Sequence, residues 1–375
     1  MSRDLKILSA AMLTWGLGEG MFYIFLPLYI QEFGAEPTLI GTILGINGLS
    51  MAISQIPSGY LADKIGRRPM MWFSWTIGVI ATWVMALAPS LSLFVVGLVL
   101  YGVTSSVMAP LNTYAQGARG EWSVGRAVSF VSASYNVGGI LGPVIGGFVG
   151  DSYSMRTVYF GAGIMFVVST IIVFFISHQP VVKTAHMEGN HQLIRNKRYM
   201  KMLGIIFLVI LAVTLPQPMA ANFLQNQRGM SLSRIGQFGS LGALGSVVLM
   251  LAFGHRPPGV ALIIGQGGLL LFSFLLWQGE GLFWIGLGYF ALGGYRLSRA
   301  MTLALVRPVV REQEVGLAFG LVESLNAFAN VLAPVLAGVL YDWRPVAIFP
   351  ISVAVIALTM LFSMRYFRRN NPDSG

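Results

Sequence analysis

Gly59-Tyr60-Leu61-Ala62-Asp63-Lys64-Ile65-Gly66-Arg67-Arg68-Pro69 decides how this chain is read. Four charges fall within these eleven residues, in a chain of which only 10% is Asp, Glu, Lys or Arg. The runs on either side, 38–62 and 70–88, are apolar. Each is long enough to cross a hydrocarbon core of about 30 Å, which takes about 20 helical residues. A charged turn punctuated by glycine between two such runs is a loop at one membrane face.

Outward from that turn the same pattern repeats. With 55% hydrophobic residues and a mean hydropathy of +0.72, the chain lacks the polar coat of a soluble domain. Twelve apolar spans are expected, at 5–30, 38–62, 70–88, 91–114, 125–150, 157–177, 202–224, 233–253, 259–278, 281–306, 315–340 and 345–364. The fold class is all-α: a polytopic membrane protein with two pseudo-symmetric six-helix halves, 1–177 and 199–375, joined by a polar linker at 178–198. The first span has basic residues ahead of it but is too long for a signal peptide, and no small-residue cleavage site follows, so it reads as a retained helix.

Loop charge orients the chain. One set of loops holds 18 of the 24 basic residues, the opposite set holds Arg156, Arg228, Arg234 and Arg344, and two lie inside a span. The positive-inside rule then puts both termini and the Asp63 turn in the cytoplasm of a cell-membrane protein. The net charge of +10 is accounted for by this topology, so no nucleic-acid partner is expected. The chain has no cysteine, no P-loop and no intramembrane histidine cluster. No disulfide, metal or other cofactor is therefore expected, and ATP is not the expected drive.

The halves match at a constant offset. A shift of 191 brings Gly125, Ala127, Pro143, Gly147 and Asp151 onto Gly316, Ala318, Pro334, Gly338 and Asp342. A shift of 195 brings Gly34, Ile40, Gly41 and Gly59 onto Gly229, Ile235, Gly236 and Gly254. A six-plus-six repeat is a transporter architecture, with substrate held near the midplane between the halves. The second half lacks the charged turn, since Gly254 is followed by His255-Arg256-Pro257-Pro258-Gly259.

The turn resembles the loop signature of the major facilitator superfamily, G-x-L-A-D-x-x-G-R-R/K, at every position. In span five, Gly138, Gly142 and Gly146 form a smooth stripe that lets helices approach closely, and Pro143 bends the helix. The run G-x-x-x-G-P-x-x-G-G, with Gly147 as its last residue, resembles the fifth-helix signature of that superfamily's antiporters. The resemblance implies that this helix meets span eight. It also implies that Gly59, Asp63, Gly66, Arg67 and Arg68 form a conformational latch, with Asp63 facing the N-terminus of span eleven. One departure stands out. Where proton-coupled members often carry an arginine in span four, this chain has Leu98.

Four ionisable residues fall within spans: Glu19, Arg296, Arg299 and Glu323. Charges there are costly and point to function. Arg299 and Glu323 lie at matched depth, which predicts a buried ion pair. Glu19 lies near the midplane, beside glycines and aromatics, with no charged partner at its depth. It is the expected proton carrier, placed like the first-helix acidic residue of several multidrug antiporters. Trp15, Tyr23, Asn47, Asn112, Asn136, Gln217, Asn222, Arg296 and Asn326 are the polar or aromatic span residues expected to line a substrate cavity.

Together these readings describe a secondary transporter working by alternating access. The favoured activity is proton-coupled efflux of an amphipathic or drug-like small molecule, in a monomer whose partners are substrate, protons and lipid. A carrier for an anionic metabolite or lysolipid, with Arg296 holding the anion, stays open. An intramembrane enzyme is the remote alternative, as no catalytic cluster is visible.

Overall fold

The computed structural model describes residues 1–179, 196–311 and 314–370. The expected linker at 178–198 thus falls almost wholly outside the described residues.

Among the described residues there are seventeen α-helices. In the first half they are α1 (Arg3–Tyr23), α2 (Leu26–Glu32), α3 (Pro37–Gln55), α4 (Ser58–Ile65), α5 (Arg67–Leu87), α6 (Leu91–Val103), α7 (Met108–Gly117), α8 (Val124–Ser152) and α9 (Met155–Phe174). In the second they are α10 (Lys197–Thr214), α11 (Ala220–Asn226), α12 (Leu232–Phe253), α13 (Pro258–Gln278), α14 (Leu282–Leu292), α15 (Gly294–Val306), α16 (Val315–Trp343) and α17 (Ile348–Asn370). Among the described residues nine stretches are long and apolar enough to cross a membrane, or ten if α1 and α2, bent by 46°, form one span. The other two expected spans fall on broken helices, α10 with α11 and α14 with α15.

Two units emerge, and they cut across the sequence halves. One takes 1–35, 46–179 and 224–240; the other takes 36–45, 196–223, 241–311 and 314–370.

In the first unit α1 packs along α8 and α9, and α5 along α6 and α9. The glycine stripe explains how close α1 and α8 come. A Cβ on Gly138 would sit 2.3 Å from the Leu13 carbonyl oxygen, and one on Gly146 only 2.0 Å from that of Met21. The stripe therefore faces α1, whereas Pro143 and Gly147 on the same helix face α12. Beside this seam lies an aromatic core of Trp15, Phe22, Trp75, Tyr159 and Phe166. Each such ring pair adds about 0.5–1.5 kcal/mol beyond area burial. The Trp75 indole donates to Ser169 Oγ at 2.8 Å, and Ser169 donates to the Ala11 carbonyl at 2.7 Å, so the indole end is satisfied within the core.

Span four loosens into a 3-10 turn at Thr104–Val107. Hydroxyls occupy the break: Ser105 donates to the Met51 carbonyl and meets Ser54 Oγ at 2.8 Å, while Ser106 meets Ser74 Oγ at 3.0 Å. Serines also satisfy backbone groups of span four, since Ser50 donates to the Val99 carbonyl at 2.7 Å. In hydrocarbon such pairing is what makes a helix break tolerable. At the chain start, Asp4 accepts from the Tyr114 hydroxyl and from Ser177, tying α1 to the ends of spans four and six.

In the second unit α10 packs on α16 and α17, and α13 on α14, α15 and α17. Val209, Ala261, Leu262, Leu297 and Met301 form its core. Span ten breaks between α14 and α15 at two glycines in close contact with neighbours, Gly293 on Gly245 and Gly294 on Gly265.

The repeat is visible as a duplicated contact. In the first unit a Cβ on Gly236 would lie 2.1 Å from the Pro143 carbonyl oxygen, and one on Gly147 2.5 Å from that of Leu232. In the second, Gly41 stands 2.2 Å from the Pro334 carbonyl oxygen by the same measure, and Gly338 2.4 Å from that of Pro37. The offsets of 195 and 191 map each residue of one contact onto its counterpart in the other. What the sequence showed as matched Gly and Pro is the same helix crossing built twice, α8 with α12 and α3 with α16.

Candidate transport site

Glu19 sits near the C-terminal end of α1, half-buried, where α1 meets α8. The Tyr135 hydroxyl of α8 donates to Glu19 Oε2 at 3.0 Å. The buried Tyr101 of α6 also lies near this carboxylate. The expectation is of no charged partner at this depth; the partner found is a phenol, neutral yet a strong donor. A carboxylate with a phenol donor can exist ionised within a span. Once protonated it keeps an acceptor oxygen for that donor. Gly16 and Gly20 flank it and let α8 close in, with Gly16 against the Tyr135 backbone and Gly20 against Gly142 and Pro143. Tyr135 lies three residues ahead of Gly138, so it shares the stripe's face. That spacing was the available sequence signal. Nothing in the sequence pattern singled out Tyr101.

The expected cavity residues divide. Tyr23 is 44% exposed on the last turn of α1, close enough to influence Tyr101 electrostatically. Asn112 and Arg296 are exposed, and Asn136 is half-buried. Gln217 lies between α10 and α11, where its amide donates to the Val213 carbonyl at 2.6 Å. Four others are not cavity-lining. Trp15 is packed between Trp75 and Phe166 with its ring edge against Gly78. Asn47 is 3% exposed and lies beside Gly102 of span four, and Asn222 and Asn326 are fully buried. Being polar within a span does not fix direction around the helix, and these four point into packing.

Arg299 Nη2 donates to Glu323 Oε2 at 3.0 Å, so the pair exists. It is not buried in protein, because the two side chains keep 44% and 38% of their surface exposed. Matched depth brought them together, but both stand on the open face of α15 and α16. Tyr295, one turn before Arg299, donates to Asn330 at 3.2 Å and extends this polar face.

In the Asp63 turn, α4 ends at Gly66, whose φ of 98° only glycine adopts readily. Arg67 reaches the Thr113 carbonyl at 3.4 Å and Gln179 Oε1 at 3.3 Å, and Arg68 stacks 4.1 Å over Trp72. These contacts tie the turn to spans three and four. Among the described residues Asp63 has no hydrogen-bond or ion-pair partner. Gly59 lies in the first turn of α4. Leu98, at the place of the absent arginine, is fully buried in α6.

The helical repeat, the charged turn and a carboxylate inside the first span define a secondary transporter. The chain belongs to the Major Facilitator Superfamily, whose family model matches residues 8–295 and 202–375. It is therefore a multi-pass membrane transporter of small molecules, not an enzyme.

Among curated relatives, "Tetracycline resistance protein, class B" of Escherichia coli is 26% identical, covering 98% of this chain and 96% of its own length. "Multidrug resistance protein MdtG" of Salmonella heidelberg is likewise 26% identical with the same coverage. Among solved structures, the nucleoside transporter NupG matches with a TM-score of 0.82 at 13% identity, covering 98% of this chain and 99% of its own. At that identity the likeness speaks for the fold.

Proposed function

We propose that this transporter is a proton-coupled antiporter that exports an amphipathic or drug-like molecule across the cell membrane, with both termini in the cytoplasm. The observation that carries the reading is Glu19 in the middle of a span, held by the Tyr135 hydroxyl with the buried Tyr101 nearby and Tyr23 exposed on the same helix. A cationic or hydrogen-bonding substrate and a proton compete for one carboxylate, and ligands that exclude each other at one site are sufficient for exchange. Relatives named for tetracycline and multidrug resistance support the efflux direction. Leu98 in place of the family's arginine leaves Glu19 to carry the proton without that partner.

The test is Glu19→Gln in proton-energised vesicles. Gln keeps the shape and mimics the protonated acid, so the variant should fold, bind substrate and fail to accumulate it against a gradient. Substrate binding should weaken as pH falls in the unaltered chain and be flat with pH in Glu19→Gln. Gradient-driven accumulation by the variant would remove Glu19 from the coupling role. A carrier of organic anions, with Arg296 exposed on α15 as the anion contact, is the second reading. Inhibition by organic anions, lost in Arg296→Gln while amphipathic cations have no effect, would select it.

A further inference from the structure

Three polar contacts stand at helix ends, two in the first unit and one in the second. The Asp151 carboxylate, on the last turn of α8, accepts from the backbone N–H of Leu232 at 2.9 Å and of Ser233 at 2.7 Å. Ser231 and Ser233 lie beside it and favour its charged form, while the Ser233 hydroxyl donates to the Gly147 carbonyl at 3.3 Å. It thereby satisfies donors that the first turn of any helix leaves open, and places negative charge at a positive helix end. In the second unit Asp342, on the last turn of α16, accepts from the Thr38 hydroxyl in the first turn of α3 at 2.8 Å. Gln31 and Asn226 exchange two amide hydrogen bonds, at 3.2 and 2.9 Å.

The numbering shows that these are one device in two copies. Asp151 and Asp342 differ by 191, and Ser233 and Thr38 by 195. Gln31 and Asn226 also differ by 195, so each is the repeat mate of its own partner. Each carboxylate ends a helix of one sequence half and holds the start of a helix from the other. Beneath each lies the same close crossing, Pro143 on Gly236 and Pro334 on Gly41. The loops involved are those poor in basic residues, hence the outer ones in the orientation proposed above.

We propose that Asp151 and Asp342 form a duplicated outer latch, which holds the transporter shut toward the outside and must release in both copies before the site opens there. The proposal rests on alternating access and on that orientation, and it is independent of which ion drives transport. Asp151, which accepts two backbone N–H bonds at a helix start, is the stronger copy. Asp342 has the Thr38 hydroxyl as its partner among the described residues.

The cysteine-free chain permits a direct test. Tyr23→Cys near Glu19 serves as a reporter, labelled by a membrane-impermeant maleimide added outside in right-side-out vesicles and inside in inverted ones. Asp151→Asn with Asp342→Asn should raise the outside rate and lower the inside rate, by roughly three- to thirtyfold in their ratio for two helix-end interactions of ordinary strength. Asp151→Asn alone should shift the ratio more than Asp342→Asn alone, and Asp151→Glu should retain most of the latch. Monodispersity of the purified variants shows that they fold; if the double variant does not, the two singles decide. An unchanged ratio in folded protein, or rates that rise on both sides together, would overturn the latch. Labelling needs neither substrate nor gradient. A failed latch alongside intact proton-driven transport, or the reverse, therefore separates this proposal from the antiport reading.

Discussion

The two helix seams that carry the halves are related by the repeat yet packed differently. In the first unit α8 meets α1 through Gly138, Gly142 and Gly146; the residues 191 further on, in α16, are Ala329, Ala333 and Ala337, all fully buried. One methyl per turn separates the seams, and the tighter one carries the hydrogen bond to Glu19. The repeat mates of that bond are Thr214 and Asn326. Thr214 turns its hydroxyl back to the Ile210 carbonyl, and neither amide atom of Asn326 has a hydrogen-bond partner among the described residues. Duplication supplied two similar seams. The chemistry was placed in the one where backbones touch and a phenol can reach across to a carboxylate.

The largest effect should come from spoiling that closeness. Gly146→Ala places a methyl against the backbone of Met21, which cannot rotate away, and should cost about 1–3 kcal/mol. Ala337→Gly at the equivalent place of the other seam should cost only about 1 kcal/mol, through helix propensity and a lost methyl. Thermal unfolding of both variants in detergent measures the contrast; equal costs would mean that the seams are packed alike. Next comes the hydrogen bond. Tyr135→Phe should fold like the parent and lose several-fold in gradient-driven transport, whereas Asn326→Leu should leave transport nearly unchanged or improve stability. Transport by Tyr135→Phe at the parental rate would show that the phenol only packs.

The inner ends differ more sharply still, since the first half has the Asp63 turn and the second has His255-Arg256-Pro257-Pro258. Asp63→Asn should move the population toward access from the cytoplasm, while Arg256→Gln should not. Labelling of Tyr23→Cys in inverted vesicles reads both, and identical responses would erase the distinction. The smallest effect is expected at Arg299 and Glu323. With both side chains more than a third exposed, removing either partner should cost about 1 kcal/mol or less. Replacing both by Met should cost no more than replacing one. A loss of several kcal/mol would mean that lipid or substrate shields the pair.

Much of this was legible in residues. The apolar runs, the basic-residue asymmetry and the Gly and Pro offsets gave the architecture, because bilayer thickness and close helix contact restrict residue type at known spacings. The matched depth of Arg299 and Glu323 gave their pairing. Exposure escaped the same reasoning, since depth along a helix says nothing about direction around it; Trp15, Asn47, Asn222 and Asn326 fell out of the cavity for that reason. Tyr101 and Tyr135 stayed hidden because an uncharged donor leaves no mark in a search for opposite charge. Asp151 and Asp342 stood in the sequence as a matched pair, but their partners are mainly backbone N–H groups and hydroxyls, which only the fold brings within reach.

α3 and α12 each change unit partway along, between Gly45 and Ile46 and between Ser240 and Leu241, without interruption of the helix. Such a rod bends through many slightly lengthened hydrogen bonds, and most readily where glycine sits beside serine, as at Gly239-Ser240 in α12. Replacements along their middles should tune stiffness, and with it how often the molecule crosses between its states, more than which state it prefers.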